Sequence, residues 1–195
     1  MSASNQSGAV SLRVSGADAR SPSLSIREAA RSDVEELVAL VNAAYRPAAG
    51  RGGWTHEADL VEGSRIDRAQ LTELFTDRDS VILVGCFDQR LAACVQVRKT
   101  GASSQIGMLA VHPKSQGRGL GSEMLKRAEE HARTRFGSEA AEMTVITRRA
   151  ELMSYYRARG YQATGETADY PLSAGVGAPK CADLMLSKLV KRLAF

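Results

Sequence analysis

Three glycines at alternate positions, Gly117, Gly119 and Gly121, stand where an apolar run and a proline turn give way to an amphipathic helical pattern. The first turn of a helix has backbone N–H groups without partners inside the helix, and the helix dipole favours an anion there. Glycines let a ligand approach those amides closely. The chemistry open to this spacing is a phosphate cradle, with Gln116, Arg118, Leu120 and Ser122 set among the same amides. It is not a P-loop, because no GxxxxGK followed by Ser or Thr occurs in the chain. A dinucleotide fingerprint, GxGxxG after the first strand of a βαβ unit, is also excluded. The last glycine comes too early, and the stretch follows a run of strands in mid-chain.

The elements that must position this cradle are readable from periodicity. Leu24 to Glu28 alternates as a first strand, and Ser32 or Asp33 can cap a helix whose apolar face is Val34, Leu37, Val38, Val41 and Tyr45. A second helical stretch runs from Asp67 to Phe75. Ser80 to Phe87 and Leu91 to Val97, joined by a turn at residues 88–90, read as an antiparallel hairpin. A further strand ends near His112, and the cradle then opens a helix with Leu120, Met124, Leu125, Ala128, Ala132 and Phe136 on one face. Gly137 ends it. Met143 to Ile146 is a strand, Ala150 to Arg159 a helix stopped by Gly160, and Tyr161 to Thr164 and Ala182 to Leu189 are the last strands. This order predicts one mixed α/β domain over 24–195, behind an N-terminal tail, 1–23, expected to be disordered.

Composition bounds the function classes. The 195 residues are 44% apolar and 25% charged, as in an ordinary globular protein. No apolar run reaches the roughly 20 residues of a membrane span, and the first residues carry no apolar signal core. Cys86, Cys94 and Cys181 are widely spaced without a CxxC pair, so no metal site and a reducing, cytoplasmic setting are expected, each cysteine being a small buried hydrophobe. The net charge of +4 is modest. Lys126, Arg127, Arg133 and Arg135 alternate with Glu123, Glu129 and Glu130, which describes a solvated helix face rather than a nucleic-acid surface. Neither nucleic acid nor membrane is an expected partner.

Gln116 to Gly121 resembles the Q/R-x-x-G-x-G/A signature of the GNAT superfamily of N-acetyltransferases, in its context of strand, Val111-His112-Pro113 turn and helix. A second stretch, Tyr156-Arg157-Ala158-Arg159-Gly160-Tyr161, is similar to that superfamily's Y-x-x-x-G-F/Y, and the two occur in the expected order with a strand between. The likeness runs over roughly residues 24 to 189. It implies a mostly antiparallel sheet of about six to seven strands with about four helices and splayed central strands. It departs at Arg149, where many members carry asparagine.

The resemblance implies acetyl-CoA as donor, its pyrophosphate on the amides of Gly117 to Gly121 and Ser122, with Gln116 beside them. Its pantetheine arm would pair with Leu109, Ala110 and Val111, one of whose N–H groups would face the thioester carbonyl. Lys114 or Arg118 would meet the 3′-phosphate. Tyr156 would be the acid that protonates the departing thiolate, whereas Tyr155 is expected in the core. Glu57, in the sequence Gly52-Gly53-Trp54-Thr55-His56-Glu57, is the candidate base or amine anchor, with His56 second. Trp54 is expected to pack between elements. Glu57, Asp59, Glu62 and Asp67 lie in the acceptor segment and could attract a cation. The expected acceptor is a small-molecule amine. A protein N-terminus or lysine, a CoA-binding module without transfer, and a homodimer remain open.

Overall fold

The computed structural model describes residues 24–47, 53, 56–87 and 89–194. The expected tail and the expectations for Trp54 and Thr55 lie outside the described residues. Chain order is β1 (Leu24–Glu28), α1 (Val34–Tyr45), β2 (Val61–Glu62), α2 (Arg68–Leu74), β3 (Ser80–Phe87), β4 (Arg90–Thr100), β5 (Ser103–Val111), α3 (Leu120–Thr134), β6 (Ala140–Ile146), α4 (Ala150–Arg157), β7 (Gln162–Asp169), β8 (Ala178–Pro179) and β9 (Met185–Arg192). Seven strands form one sheet in the order β1-β3-β4-β5-β6-β9-β7. Every pair is antiparallel except β5–β6. This is the expected mixed α/β fold with its four helices.

Two apolar layers hold the sheet. The stripe on α3, Leu120, Met124, Leu125, Ala128 and Ala132, is buried against Val95, Val97 and Ile106. On the other face Leu37, Val41 and Leu71 pack on Val84, Cys94, Met108 and Ala110. Burying each such leucine stabilises the fold by about 1.5–3 kcal/mol. Asp67 caps α2, its carboxylate accepting from the Gln70 N–H at 2.8 Å while Gln70 Oε1 accepts from the Asp67 N–H at 2.9 Å. Asp33 does not cap α1 through its side chain. It accepts from the Ala30 N–H at 2.7 Å and from Arg27, which fastens the chain just before the helix. On α3, Arg127 pairs with Glu123 and Glu130, and Glu129 pairs with Lys191 of β9.

The parallel pair is what opens the fold. β5 and β6 meet only where Ser103, Ser104 and Gln105 face Ala140, Ala141 and Glu142. Beyond that point β6 keeps its pairing with β9 and β5 its pairing with β4, so the two strands diverge into a V. A bulge lies on β5 within the V. Cys94 faces Ala110 and Gln96 faces Gly107, which leaves Met108 and Leu109 opposite Val95 alone. Met108 takes a left-handed φ of 48° there, a conformation that costs about 1–3 kcal/mol for a residue with a Cβ. Its side chain is buried under α1, and that burial offsets the strain.

The β2–β8 pair, with two residues in each strand, is absent from the sequence reading, because two residues display no alternation. Gly177 closes it. It adopts a φ of +97°, and a Cβ there would lie 2.5 Å from the Glu62 carbonyl oxygen. Gly177→Ala is expected to lower stability by about 2 kcal/mol, from strain and this clash together. Chemical denaturation is the check, and an unchanged midpoint would refute it.

Candidate active site

The V is lined on the α3 side by a cavity of about 270 Å³. Its floor is the start of α3. His112 Nδ1 accepts from the Lys114 N–H at 3.2 Å, and Pro113 opens one short turn that delivers the chain to the glycines. Gly117 and Gly119 both have left-handed φ, 76° and 77°, and a Cβ on either would meet no protein atom within 4 Å. Glycine is therefore required by the turn, and the space above it is open. Gly121 serves differently, since a Cβ there would lie 3.4 Å from Tyr155 Oη and 3.5 Å from Val111.

Strand edge and helix meet through side chains. The Leu109 carbonyl accepts from Tyr45 Oη at 3.1 Å and the Val111 carbonyl from Gln116 Nε2 at 3.1 Å. Acceptors on the splayed edge are thus satisfied by side chains instead of a neighbouring strand. Gln116 also wedges against Gly53, where a Cβ would fall 1.8 Å from its Oε1, tying the cradle to the segment before Glu57.

Leu109, Val111, Gln116, Gly117, Gly119, Leu120, Gly121, Ser122 and Tyr156 all line this cavity. Ala110 is turned to the opposite face, buried under α1. Arg118 is exposed and lies over the Phe87 ring at 5.2 Å, off the cavity wall. Tyr155 differs from its expected place in the core. It is half-buried on the cavity wall, with its hydroxyl 3.3 Å from Ser122 Oγ. Arg159 is a wall residue that the sequence reading misses. Its guanidinium stacks over the Tyr155 ring at 3.5 Å and donates to the Tyr155 carbonyl at 2.8 Å and Ser122 Oγ at 2.6 Å. The signal was present, because Tyr155 and Arg159 are four residues apart and share a helix face.

A second cavity, about 340 Å³, fills the rest of the V between β5 and β6. Tyr45, Leu109, Leu152 and Tyr156 border both cavities. Burial pushes the Tyr156 phenol above its ordinary value, Tyr155 and Glu57 adding to the shift while Arg149 and Arg159 oppose it. Tyr45 is raised mainly by burial as well. Glu57 lines the second cavity, and its Oε2 accepts from Arg46 at 2.7 Å, both side chains being nearly buried. Arg46 also donates to the Tyr45 and Val176 carbonyls, so it binds the end of α1 to two loops. His56 borders neither cavity. Arg149, at the usual asparagine position, is buried and donates to Glu151 and to the His56 carbonyl. It steadies the segment carrying Glu57. Asp59, Glu62 and Asp67 are exposed and off the wall, where Arg65 and Arg98 stand instead.

Among the described residues, no cluster of three or more His, Cys, Asp or Glu could hold a metal ion, and no helix is long and apolar enough to cross a membrane. No curated protein matches the sequence. Solved structures do match the fold. The ribosomal-protein-S18-alanine N-acetyltransferase of Escherichia coli superposes with a TM-score of 0.67 at 12% identity, over 89% of this chain and 96% of that one. The putative acetyltransferase yncA of Salmonella typhimurium, solved with its cofactor acetyl-CoA, gives 0.64 at 19% identity over 89% and 95%. A mutant of the spermidine N-acetyltransferase SpeG of Vibrio cholerae gives 0.64 at 14% over 87% and 94%. At these identities the likeness establishes the fold alone. The sequence model of the acetyltransferase (GNAT) family, however, matches residues 33–161, from the start of α1 through the cradle to the tyrosine signature. With two thirds of its length inside that match, the chain belongs to the acetyltransferase (GNAT) family.

Proposed function

We propose that the protein transfers the acetyl group of acetyl-CoA to the primary amine of a small molecule by direct attack on the thioester. The observation that carries this reading is that two cavities, one on the N-terminus of α3 and one between the splayed strands, meet at Tyr156. The first fits the donor. Its open glycine turn presents helix N-terminal amides to a pyrophosphate, and Arg159 adds a cation beside Ser122. Bound there, acetyl-CoA supplies an acyl group on a thiolate leaving group.

The chain's own residues do the rest. A backbone N–H at the bulge of Met108 and Leu109 would meet the thioester carbonyl, where charge develops as the amine attacks. Tyr156 gives its proton to the departing sulfur. An alkyl amine is almost wholly ammonium at pH 7, and exposing its lone pair costs about 4–5 kcal/mol. Glu57 holds that ammonium and accepts its proton, directly or through water, while Arg46 keeps the carboxylate in place. Cys86 and Cys94 are buried free thiols, which suits a reducing cytoplasm.

Free-thiol release from acetyl-CoA against a panel of amines and peptides tests the reading. Turnover of a small amine is expected. Acetyl-CoA binding without release on any acceptor would instead make the protein a CoA-binding module. Glu57→Gln is expected to lower kcat/KM at pH 7 by roughly 10²-fold, within the range for a positioned base. The deficit should shrink toward pH 10, where the amine deprotonates unaided. A deficit independent of pH would remove the proton-transfer role.

A further inference from the structure

We infer that the acceptor is an amine that also carries a carboxylate, an apolar α-amino acid in its free form, and that Arg65 is the residue that reads the carboxylate. This deepens the proposed acetyl transfer and rests on it. The charged groups on the wall of the second cavity are Glu57, Arg65 and Arg98. Glu57 is already paired with the buried Arg46. Arg98 stands at the rim, more than half exposed, with Asp77 at 3.1 Å. Arg65 differs from both. Among the described residues it has no carboxylate partner and its side chain donates no hydrogen bond; its guanidinium lies over the Tyr45 ring, 5.3 Å from the centroid. Tyr45 borders the donor cavity too and is fixed by its bond to the Leu109 carbonyl.

Among the described residues the acceptor cavity therefore holds one uncompensated positive charge, half-buried and stacked on a tyrosine that borders both cavities. A guanidinium stacked on an aromatic face keeps its edge N–H groups free to grip a carboxylate as a fork. A polyamine would meet that charge as repulsion, and Glu57, the one carboxylate on the wall among the described residues, serves a single reacting amine. Beside Gln96, Gln105 and Thr144, the wall carries Leu74, Met143, Val145 and Ile146, an apolar stretch that suits an aliphatic or aromatic side chain. An α-amino acid places its amine and carboxylate on one carbon, so the group held by Arg65 leaves the amine near Tyr156 and Glu57.

The test compares L-leucine, L-methionine and L-phenylalanine with their carboxamides and with spermidine, by thiol release and by calorimetric binding to the CoA-loaded full chain. Free acids are expected to exceed amides in kcat/KM by roughly tenfold to a hundredfold, the range for one charge-assisted pair. Arg65→Met should erase that ratio by weakening the acids alone, and Arg65→Lys should restore part of it. Equal use or binding of amides, preference for spermidine, or equal losses on acid and amide in Arg65→Met would overturn the inference while leaving acetyl transfer intact. Failure to bind acetyl-CoA would sink the parent reading instead. With acetyl-CoA bound but no turnover, tighter calorimetric binding of acid than amide supports the inference and equal binding overturns it.

Discussion

Tyr156→Phe is expected to lower kcat by roughly a hundredfold, the lower end of what a positioned acid contributes, and to move acetyl-CoA affinity by no more than about threefold. The asymmetry follows from what the substitution removes. The ring keeps its edge contacts with Tyr155 at 5.2 Å and Tyr161 at 5.9 Å, so the wall shared by the two cavities survives. Only the hydroxyl is lost. Burial raises the phenol above its ordinary value, so it carries its proton at neutral pH and can donate it. The same apolar surroundings would disfavour a thiolate, so in the proposed step the proton would move between two groups that are both poor anions there. That is why the transfer remains feasible from a raised phenol. The effect is held to the lower end because thiolate is already a tolerable leaving group. The native enzyme should show a rising limb with pH as the amine deprotonates and no falling limb up to about pH 10, the ordinary phenol value. Steady-state kinetics with calorimetric Kd values check both statements. An unchanged kcat would remove the acid role, and matched losses in kcat and affinity would reassign Tyr156 to packing.

The cavity proposed for the donor is legible in the sequence because its parts are local. A glycine turn, the helix after it and the tyrosine motif each span a few residues, and their periodicities survive without tertiary context. The fold is legible for the same reason, although β6 begins three residues early and β9 begins and ends three residues late, because their extents are decided by pairing with each other. The cavity proposed for the acceptor resists reading. Its wall joins the end of α1, the segment near Arg65, the splayed faces of β5 and β6, and the loop at Tyr170, which only the V brings together. Charge counting along residues 45–75 points to Glu57, Asp59, Glu62 and Asp67, but three of these face solvent and the adjacent Arg65 faces the cavity. Tyr155 shows a related failure. A tyrosine on an amphipathic helix looks like core until Ser122 and Arg159 are found against it.

Gly119→Asp is expected to weaken acetyl-CoA binding by about 10²- to 10³-fold. Gly119 is the residue from which α3 starts, and its carbonyl already accepts from the Ser122 and Glu123 N–H groups. The Leu120 and Gly121 amides, which lie before those two, are the ones left for an anion. A carboxylate introduced here competes for them from within the chain, because aspartate is a favoured partner for a helix N-terminus. It also repels a bound pyrophosphate, and two unit charges about 4 Å apart near a protein surface interact by roughly 4 kcal/mol. Strain is a separate effect. With φ at 77°, any side chain costs about 1–2 kcal/mol, less for asparagine and aspartate than for others. Gly119→Asn separates the two, since it has nearly the same shape and strain without the charge. Both variants should lose a few degrees of melting temperature, as about 1 kcal/mol does in a chain of this size. Only the aspartate variant should lose most of its acetyl-CoA affinity, and its deficit should narrow as salt screens the repulsion. Equal affinity losses in the two variants would show that the turn matters only for shape. Undiminished affinity in the aspartate variant would place the pyrophosphate elsewhere and dissolve the cradle.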